Sequence, residues 1–460
     1  MLKFHNTLTN KLQSFKPLTP KKINLYVCGP TTYDYSHIGH AKSYIQFDVI
    51  VRYLRTKYDV FYVQNITDID DKIINRANAE KKDWETLART FEKEYLDDMK
   101  TLNVTSVSKQ VRATEHISEM IDQIKRLQKK DIAYEINDGV YFDISKFKEY
   151  GKLSKQKLDE LKQHRIEPNQ QKRNAGDFSL WKKAKPNEPF WNSPWGKGRP
   201  GWHIECSAMG EKHLGQTYDI HGGGIDLIFP HHEAEIAQME SITNKTFAQY
   251  WLHNGFLLIN NEKMSKSLNN FITIRGAMAK WSPMAVRFLF ATSHYRSPIN
   301  FTETSMANAR SSFEKLQNTV REAQRKFNEL SLSKPDKADA ELIKKVKDLK
   351  KQFTASMNND FDTPNAAAAV FELSHLINKY NGTKQTLKKM LDIFTELTDI
   401  LGFIFKTASE IPKFIDDAVA ERKRARMSKD WKRSDILRTE IEERGYAVDD
   451  TPSGPVVRKL

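Results

Sequence analysis

The pattern that most restricts the fold lies near the start of the chain, where two strand-like segments enclose a helix-like one. The run Ile23–Val27 is apolar at every position except Asn24, as in strands that are buried on both faces of a sheet. Apolar residues then recur at helical spacing over 41–57, and Tyr58–Val63 predicts a second strand, with a loop at 65–68 and a helix from Asp71. The short connections predict a parallel sheet covered by helices, which is an α/β fold.

Length, charge and cysteine content set outer bounds on the protein. A chain of 460 residues is expected to form roughly two to four domains. Its net charge of +14 favours a polyanionic partner. The first 22 residues lack the apolar core of a secretion signal, and no run of about 18 apolar residues predicts a membrane span. We therefore expect a cytoplasmic protein, without a membrane partner, whose cysteines Cys28 and Cys206 stay reduced.

Changes of composition divide the rest of the chain. A stretch rich in Lys, Pro and Trp ends near residue 200 and predicts an inserted segment, strand-like segments return at Tyr218–His221 and Trp251–Ile259, and the pattern after residue 305 is almost entirely helical. The predicted divisions are the first half of the α/β domain at 1–108, an insertion at 109–200, the second half of the α/β domain at 201–260, a lysine-containing loop with its flank at 261–305, a helical bundle at 306–404 and a small C-terminal domain at 405–460.

A candidate phosphate site lies at the start of the first predicted helix, in the sequence SHIGH at Ser36–His40. A helix N-terminus presents unpaired backbone N–H groups, and Gly39 lets a ligand approach the backbone closely. His37 and His40 would add imidazole N–H donors to phosphate oxygens. The alternative is a helix cap with two surface histidines.

A second candidate lies in the polar, Asn-flanked segment NNEKMSKSLNN. Lys263 and Lys266, with the Ser265 hydroxyl between them, would stabilise a polyphosphate whose charge grows as it leaves. Taken alone, Lys263–Ser267 would be a solvated run of charged and polar residues.

Four further side chains have the chemistry of a metal site. Cys28 follows the first strand, at the edge where open parallel sheets place their ligands. Cys206 lies in GWHIECSAMG, and His231 and Glu235 are one helical turn apart. Two thiols, an imidazole and a carboxylate suffice for tetrahedral zinc. Packing of Cys28 as a small hydrophobic residue is the alternative. On spacing alone, two neighbouring residues are also possible ligands: His232 and Glu233.

Together, these motifs resemble those of the class I aminoacyl-tRNA synthetases, whose HIGH and KMSKS signatures stand here as His37–His40 and Lys263–Ser267. The segments YVCGPTTYDYSHIGHA, NITDIDDKI, PGWHIECSAM, DIHGGGIDLIFPHHEAEIAQ and EKMSKSLNNF are similar to the cysteinyl-tRNA synthetase pattern within that class. The resemblance implies a Rossmann-like catalytic domain with an insertion, a stem-contact region within 261–305, a helical bundle, and an anticodon-binding domain at 405–460.

The resemblance also implies roles for individual residues. For ATP, bound with Mg²⁺, the binding residues would be His37, Gly39, His40 and Lys266, and the catalytic residues would be His37, His40, Lys263 and Lys266. The ligands of one Zn²⁺ per chain would be Cys28, Cys206, His231 and Glu235, and the residues near the substrate cysteine would be Thr67, Trp202 and His221. The pair Glu233-Ala234 departs from the commoner Glu-Asn at a position that is not a ligand.

Zinc would supply a selectivity that shape cannot. Cysteine and serine differ only by sulfur in place of oxygen, and shape alone separates near-isosteric substrates by about 1–3 kcal/mol. A metal-bound thiol loses its proton readily because its unperturbed pKa is only about 8.5, whereas an alcohol does not. We therefore expect the metal to hold the substrate sulfur and not to activate water.

The end of the chain carries a basic segment, Arg422–Arg433. Between Glu421 and Arg433 there are seven Lys or Arg residues against two Asp or Glu. Basic groups bind phosphates, and Arg or an aromatic ring such as Trp431 stacks on unpaired bases. The segment therefore predicts RNA contact, with a solvated helix face as the alternative.

The predicted activity is ligation of L-cysteine to tRNA(Cys) by a monomer, in which ATP first forms cysteinyl-adenylate and the cysteinyl group then moves to the 3′ end of the tRNA. One alternative is a cysteine ligase of the same catalytic family that acylates a small amine and lacks the full C-terminal extension. Another is a non-catalytic, zinc-containing RNA-binding protein, which would need neither the histidine pair nor the lysine pair. A generic nucleotidyltransferase would need no metal pocket for a thiol.

Overall fold

The structure is a computed structural model. It describes residues 1–156, 171–264, 270–406, 412–451 and 454–460. The chain divides into two compact units. The first comprises Met1–Pro283, Ser293–Thr302 and Met357–Asp362, and the second comprises Met284–Thr292, Glu303–Ser356 and Thr363–Leu460. Among the helices in the described ranges, none combines the length and the apolar character needed to span a membrane.

The first unit contains both strands and helices. Its strands are β1 (Lys3–Asn6), β2 (Lys11–Ser14), β3 (Lys22–Val27), β4 (Asp59–Ile66), β5 (Lys109–Arg112), β6 (Ala133–Ile136), β7 (Gly139–Phe142), β8 (Phe178–Lys183), β9 (Gly198–Pro200), β10 (Tyr218–Gly224), β11 (Ala248–Asn254), β12 (Leu257–Ile259), β13 (Glu262–Lys263) and β14 (Ile299–Phe301). Its helices are α1 (Ile38–Arg55), α2 (Asp71–Glu80), α3 (Trp84–Thr101), α4 (Ile117–Lys129), α5 (Trp202–Leu214), α6 (Glu233–Thr243) and α7 (Ile274–Lys280).

A five-stranded parallel sheet forms the centre of this unit, in the order β11-β10-β3-β4-β5. The apolar run of β3 is fully buried at Ile23, Leu25 and Val27, as the sequence predicts for a central strand. Helix α1 connects β3 to its parallel neighbour β4, which confirms the predicted α/β arrangement.

Two predicted boundaries of strands differ from those observed. Asn65 and Ile66 belong to β4 and not to a loop, because the strand continues its pairing with β5 through Ile66. The strand predicted at Trp251–Ile259 is two strands, β11 and β12, since the chain turns at Gly255. Glycine is required there because a Cβ atom would lie 2.3 Å from the Arg296 carbonyl oxygen.

The insertion forms its own antiparallel sheet, β6-β7-β8-β9. Strand β5 lies within the range 109–200 that the sequence assigns to the insertion, yet it pairs with β4 in the main sheet. The sequence did not identify β5 because a strand of four residues of mixed polarity has little periodic pattern. Two smaller sheets complete the unit: the hairpin β1-β2 and the sheet β13-β12-β14.

The second unit is helical up to its last hairpin. Its elements are α8 (Pro283–Ala291), α9 (Glu303–Glu329), α10 (Lys337–Asn358), α11 (Thr363–Lys379), α12 (Lys384–Leu401), α13 (Lys413–Met427), α14 (Trp431–Glu443), β15 (Tyr446–Thr451) and β16 (Gly454–Lys459). Helix α12 ends at Gly402, whose φ of +70° is the left-handed conformation that favours glycine. The buried Arg287 donates from Nε to the Leu401 carbonyl at 2.9 Å and so satisfies this helix end. A small apolar core joins α13, α14 and β15 through Ile415, Ile441 and Val448.

Candidate active site and metal centre

The HIGH segment forms the N-terminal cap of α1. The His37 Nδ1 accepts from the His40 backbone N–H at 3.3 Å, and the His40 Nδ1 accepts from the His37 backbone N–H at the same distance. The two rings stack with their centroids 3.7 Å apart. Each side chain thus satisfies a backbone donor that the helix end leaves unpaired. The structure brings the predicted pair together as a reciprocal cap.

This cap fixes which nitrogen of each ring carries the proton. A neutral imidazole has one donor and one acceptor, so a ring whose Nδ1 accepts carries its proton on Nε2. Burial lowers the pKa of His40 well below its usual value, which keeps that ring neutral. The HIGH histidines are therefore set to donate Nε2–H bonds. The segment can therefore cap the helix and bind phosphate at the same time.

Gly39 and the start of the KMSKS segment lie against this cap. A Cβ atom on Gly39 would lie 2.9 Å from the His37 Nδ1 and 3.5 Å from the Met264 methyl carbon, so the position has no room for a side chain. Lys263 ends β13, and its carbonyl accepts from the Asn270 side-chain amide at 3.2 Å. The residues 265–269, which include the predicted Lys266, lie outside the described residues.

The four predicted metal ligands come from four separate segments. Cys28 directly follows β3 at the carboxyl edge of the sheet, and Cys206 lies in α5. His231 lies in a short helical turn, Ile228–His232, and Glu235 lies in the first turn of α6. All four side chains are buried, with exposed fractions of 5% or less. The structure brings the whole predicted set together.

The distances within this set fit a tetrahedral ion. The Cys28 and Cys206 Sγ atoms are 3.8 Å apart, and the Glu235 Oε1 lies 3.6 Å from the Cys28 Sγ and 3.1 Å from the His231 Nε2. Two sulfurs that each bind one tetrahedral zinc at about 2.3 Å would lie about 3.8 Å apart. The Glu235 Oε2 is buried without a hydrogen-bond partner in the described residues. A cation would satisfy this oxygen, so the residues fit a metal.

The electrostatics of the cluster also favour a cation. Burial, then the neighbouring Cys206, raises the pKa of the Cys28 thiol well above its usual value, and burial raises that of Glu235. Burial lowers the pKa of His231 well below its usual value, so the ring is neutral and able to ligate. A divalent ion would stabilise the thiolate and carboxylate forms and so reverse the first two shifts.

The structure also contains a second, overlapping set of possible ligands. Cys28 and Glu235 belong to both sets. The first set is completed by Cys206 and His231, and the second by His221 and His232. The donor atoms of each set lie within 4.8 Å of one another. Glu233, the other ligand suggested by spacing, instead accepts from the backbone N–H groups of Leu153 and Ser154 through its Oε2.

Of the three residues predicted near the substrate, Trp202 and His221 contact the cluster, and Thr67 bonds to the residue next to one of its ligands. Trp202 stacks on His231 with ring centroids 4.4 Å apart and remains 40% exposed, so it forms part of the accessible wall. The His221 Nε2 lies 3.6 Å from the Cys28 Sγ. The Thr67 hydroxyl donates to the Glu205 Oε2 at 2.9 Å, and Glu205 precedes the ligand Cys206.

Two histidines beside the cluster were missed from the sequence. The His203 Nδ1 lies 2.9 Å from the His231 Nδ1, and the His253 Nε2 lies 2.8 Å from the His232 Nδ1. His203 precedes Cys206 by three residues on α5, a spacing that places both on one helix face and could have identified it. His253 lies at the carboxyl end of β11, which is the only signal that marks it.

Comparisons with known proteins identify the family of the chain. The family described as "tRNA synthetases class I (C) catalytic domain" matches residues 14–311, and the family described as "DALR domain" matches residues 352–406. Among solved structures, methionyl-tRNA synthetase from Mycobacterium tuberculosis in complex with methionyl-adenylate is similar, with a TM-score of 0.61 and 16% identity, over 83% of this chain and 89% of that one. At this identity the likeness shows the fold alone.

Closer relatives match over their full lengths. A cysteine–tRNA ligase of Thermococcus onnurineus is 45% identical over 100% of this chain and 99% of its own. One from Thermodesulfovibrio yellowstonii is 44% identical over 98% of each chain, and one from Methanococcus maripaludis is 44% identical over 100% of each. The chain belongs to the cysteine–tRNA ligases, a family of the class I tRNA synthetases.

Proposed function

We propose that the chain activates L-cysteine with ATP and transfers the cysteinyl group to the 3′ end of tRNA(Cys). One observation carries the proposal: the buried thiol cluster lies beside the HIGH cap. The Tyr44 hydroxyl donates to the Cys28 carbonyl at 3.4 Å, and the Tyr44 ring lies parallel to the His40 ring with centroids 6.1 Å apart. The proposed sulfur-binding cluster and the proposed phosphate-binding cap are thus both in contact with Tyr44 of α1.

In the first step, a carboxylate oxygen of cysteine attacks the α-phosphorus of ATP. The new P–O bond forms as the bond to pyrophosphate breaks, and the products are cysteinyl-adenylate and pyrophosphate. The Nε2–H groups of His37 and His40 and the N-terminus of α1 would stabilise the phosphate oxygens, and Lys263 and Lys266 would stabilise the leaving pyrophosphate, which Mg²⁺ accompanies. No side chain acts as a nucleophile, so the protein contributes position and charge.

In the same site, Cys28, Cys206, His231 and Glu235 would hold one Zn²⁺ per chain. The ion, when bound, has a strong affinity for thiolate and a weak one for an alcohol, which separates cysteine from serine. The chain's own residues do the rest: Trp202 covers the accessible side of His231, and His221 faces the cluster from β10. Thr67, through Glu205, positions α5.

In the second step, a ribose hydroxyl at the 3′ end of the tRNA attacks the acyl carbon and releases AMP. The helices α13 and α14 are suited to a second RNA contact. Trp431 is 56% exposed, and the Arg426 guanidinium lies 5.6 Å from its ring centroid. An exposed ring beside an arginine is a platform on which an unpaired base stacks. Arg422 is held by two bonds to Asp450, which supports this surface.

The length of the relatives supports tRNA over a small amine as the acceptor. A ligase that acylates a small amine would lack the full C-terminal extension, whereas the cysteine–tRNA ligases match this chain to the end. The described HIGH cap beside the thiol cluster argues against a non-catalytic zinc protein, which needs no such cap. We keep the expectation of a monomer.

Pyrophosphate exchange into ATP, measured with each of the twenty amino acids, tests the proposal. Cysteine alone should support exchange, and serine, its closest isostere, should not. Exchange that depends on a different amino acid, or on none, would refute cysteine activation. Addition of tRNA transcripts to the cysteine reaction then separates tRNA from small-amine acceptors.

A further inference from the structure

A chain of polar side chains links the protein surface to the Cys28 sulfur. The Thr7 Oγ1 lies 2.8 Å from the His253 Nδ1, the His253 Nε2 lies 2.8 Å from the His232 Nδ1, and the His232 Nε2 lies 3.3 Å from the Cys28 Sγ. His232 and His253 are buried, whereas Thr7 is partly exposed in the turn between β1 and β2. We call these three residues, Thr7, His253 and His232, the histidine chain.

The histidine chain has a direction. Both rings are buried, and the His253 Nε2 meets the His232 Nδ1 at 2.8 Å, a contact that needs one donor and one acceptor, so the pair fits two neutral rings and excludes two charged ones. A neutral ring donates from one nitrogen and accepts at the other. The protons must therefore all point toward Cys28, with the Thr7 hydroxyl donating, or all point away from it, with that hydroxyl accepting.

The two directions match the two overlapping ligand sets. If the protons point away from Cys28, the His232 Nε2 presents a lone pair and is able to ligate a metal, as the set with one sulfur requires. If they point toward Cys28, the His232 Nε2–H donates to the sulfur and cannot ligate. The metal is then left to the set that contains both Cys28 and Cys206.

The chemistry of its ends favours protons that point toward Cys28. A metal-bound Cys28 is a thiolate, which accepts hydrogen bonds and has no proton to donate. The Thr7 hydroxyl at the other end is able to donate or to accept. Because a hydrogen bond to an anion is stronger than one between neutral groups, the thiolate orients the whole chain. The 3.8 Å separation of the two sulfurs agrees with their sharing one ion.

We propose that the histidine chain delivers the His232 Nε2–H to the Cys28 sulfur and thereby commits the metal to the ligand set with two sulfurs. His232 and His253 are positioning residues in this account, and the Thr7 hydroxyl donates to His253 at the surface end of the chain. The inference rests on the metal centre that is part of the proposed function. Groups that orient a ligand in this way typically change metal affinity about 10–100-fold when they are removed.

Two matched pairs of variants test this in the full-length protein. Thr7→Val removes the hydroxyl and Thr7→Ser retains it, while His253→Met removes the donor to His232 and His253→Gln retains an N–H near the same position. Zinc affinity is measured by competition with a chromophoric chelator, and the number of sulfur ligands by X-ray absorption at the zinc edge. Thermal unfolding of each variant checks that the fold is kept.

We expect two sulfur ligands in the unsubstituted protein, in Thr7→Ser and in His253→Gln. His253→Met should bind zinc about tenfold more weakly and Thr7→Val severalfold more weakly, with a sulfur count that falls below two. Unchanged affinity and sulfur count in both Thr7→Val and His253→Met would overturn the inference while leaving the metal centre intact. An unsubstituted protein that binds no zinc would overturn both.

Discussion

The chemistry of this protein depends on how single side chains are held. In His37 and in His40, the Nδ1 accepts from the backbone N–H of the other residue, which leaves the Nε2–H of each ring as a donor. The same residues that begin α1 thus have a fixed tautomer before any ligand arrives. A substitution such as His37→Ala would remove both a helix cap and a phosphate donor, so its effects on stability and on activity need to be separated.

Lys42 is a further residue whose environment has a measurable consequence. Its ammonium is buried on α1 and donates to the Gly255 carbonyl at 2.7 Å and to the Gln46 side chain at 3.1 Å, and no described carboxylate pairs with it. Burial lowers its pKa from 10.5 to about 7. Between these two pKa values the unfolded chain binds more protons than the folded one, so this group makes the folded protein more stable as pH rises above 7.

The prediction is that the free energy of unfolding of the unsubstituted protein rises relative to that of Lys42→Met between pH 7 and pH 9. The relative gain should be at most about 1.4 kcal/mol per pH unit. Denaturant unfolding of both proteins at pH 7, 8 and 9 measures this difference, and the variant serves as the control for all other titrating groups. Parallel pH curves would show that Lys42 is ordinarily charged at pH 9.

At the scale of elements, backbone pairing holds the start of α1 against the residues 272–274, which follow the KMSKS segment and lead into α7. The Ile38 N–H donates to the Ile272 carbonyl at 3.1 Å, and the Ile274 N–H donates to the Ser36 carbonyl at 2.9 Å. The start of α1 and the residues 272–274 are therefore hydrogen-bonded to each other on both sides of the HIGH cap.

Lys266→Ala should slow adenylate formation by about tenfold or more, because it removes a charge directed at the leaving pyrophosphate. Cysteine binding without ATP should change little, since the thiol cluster is built from other segments. Pyrophosphate exchange measures the first effect and calorimetry the second, with Lys266→Arg as the variant that keeps the charge. An unchanged exchange rate in Lys266→Ala would mean that the segment is an ordinary surface loop.

At the scale of the whole molecule, sequence motifs and three-dimensional contacts contribute different parts of the site. The HIGH cap is predictable because His37 and His40 are three residues apart, and the four metal ligands follow from segments that resemble the family's. The histidine chain and Lys42 are not predictable in this way. Thr7 and His253 are 246 residues apart, and Lys42 meets a carbonyl 213 residues away, so only the folded sheet brings them together.

The same distinction holds for the fold. Mostly apolar runs such as Ile23–Val27 predict buried strands because hydrophobic burial dominates there. The four-residue strand β5 and the break at Gly255 were not predicted, because pairing partners and a close backbone approach determine them. The final hairpin, β15-β16, was also not predicted, because the sequence pattern after residue 305 is otherwise helical.

Removal of the chain after Lys406 tests the division of labour between the two steps. The truncation keeps the bonds between Gln317 and Lys406 and the packing of Phe405 on Phe313, so the helical bundle should stay folded. Pyrophosphate exchange should remain within a few-fold. Charging of full-length tRNA should fall strongly, and by more than charging of a minimal acceptor stem, because the proposed phosphate and base contacts of the C-terminal region are lost.

Trp431→Ala in the full chain provides a matched point test, with Trp431→Phe keeping an aromatic surface for stacking. The alanine variant should weaken tRNA charging and the phenylalanine variant should do so less. Equal charging by the truncated and full-length proteins would instead favour a small acceptor.

The central claim is that the buried cluster at the end of β3 holds the metal that selects a thiol. Its most direct test measures zinc content and cysteine-dependent pyrophosphate exchange together, in the purified protein, after chelation, after zinc is returned, and in Cys206→Ala. We predict about one zinc per chain, exchange that falls and recovers with zinc content, and loss of both in the variant. A zinc-free protein that activates cysteine at the full rate would contradict the account.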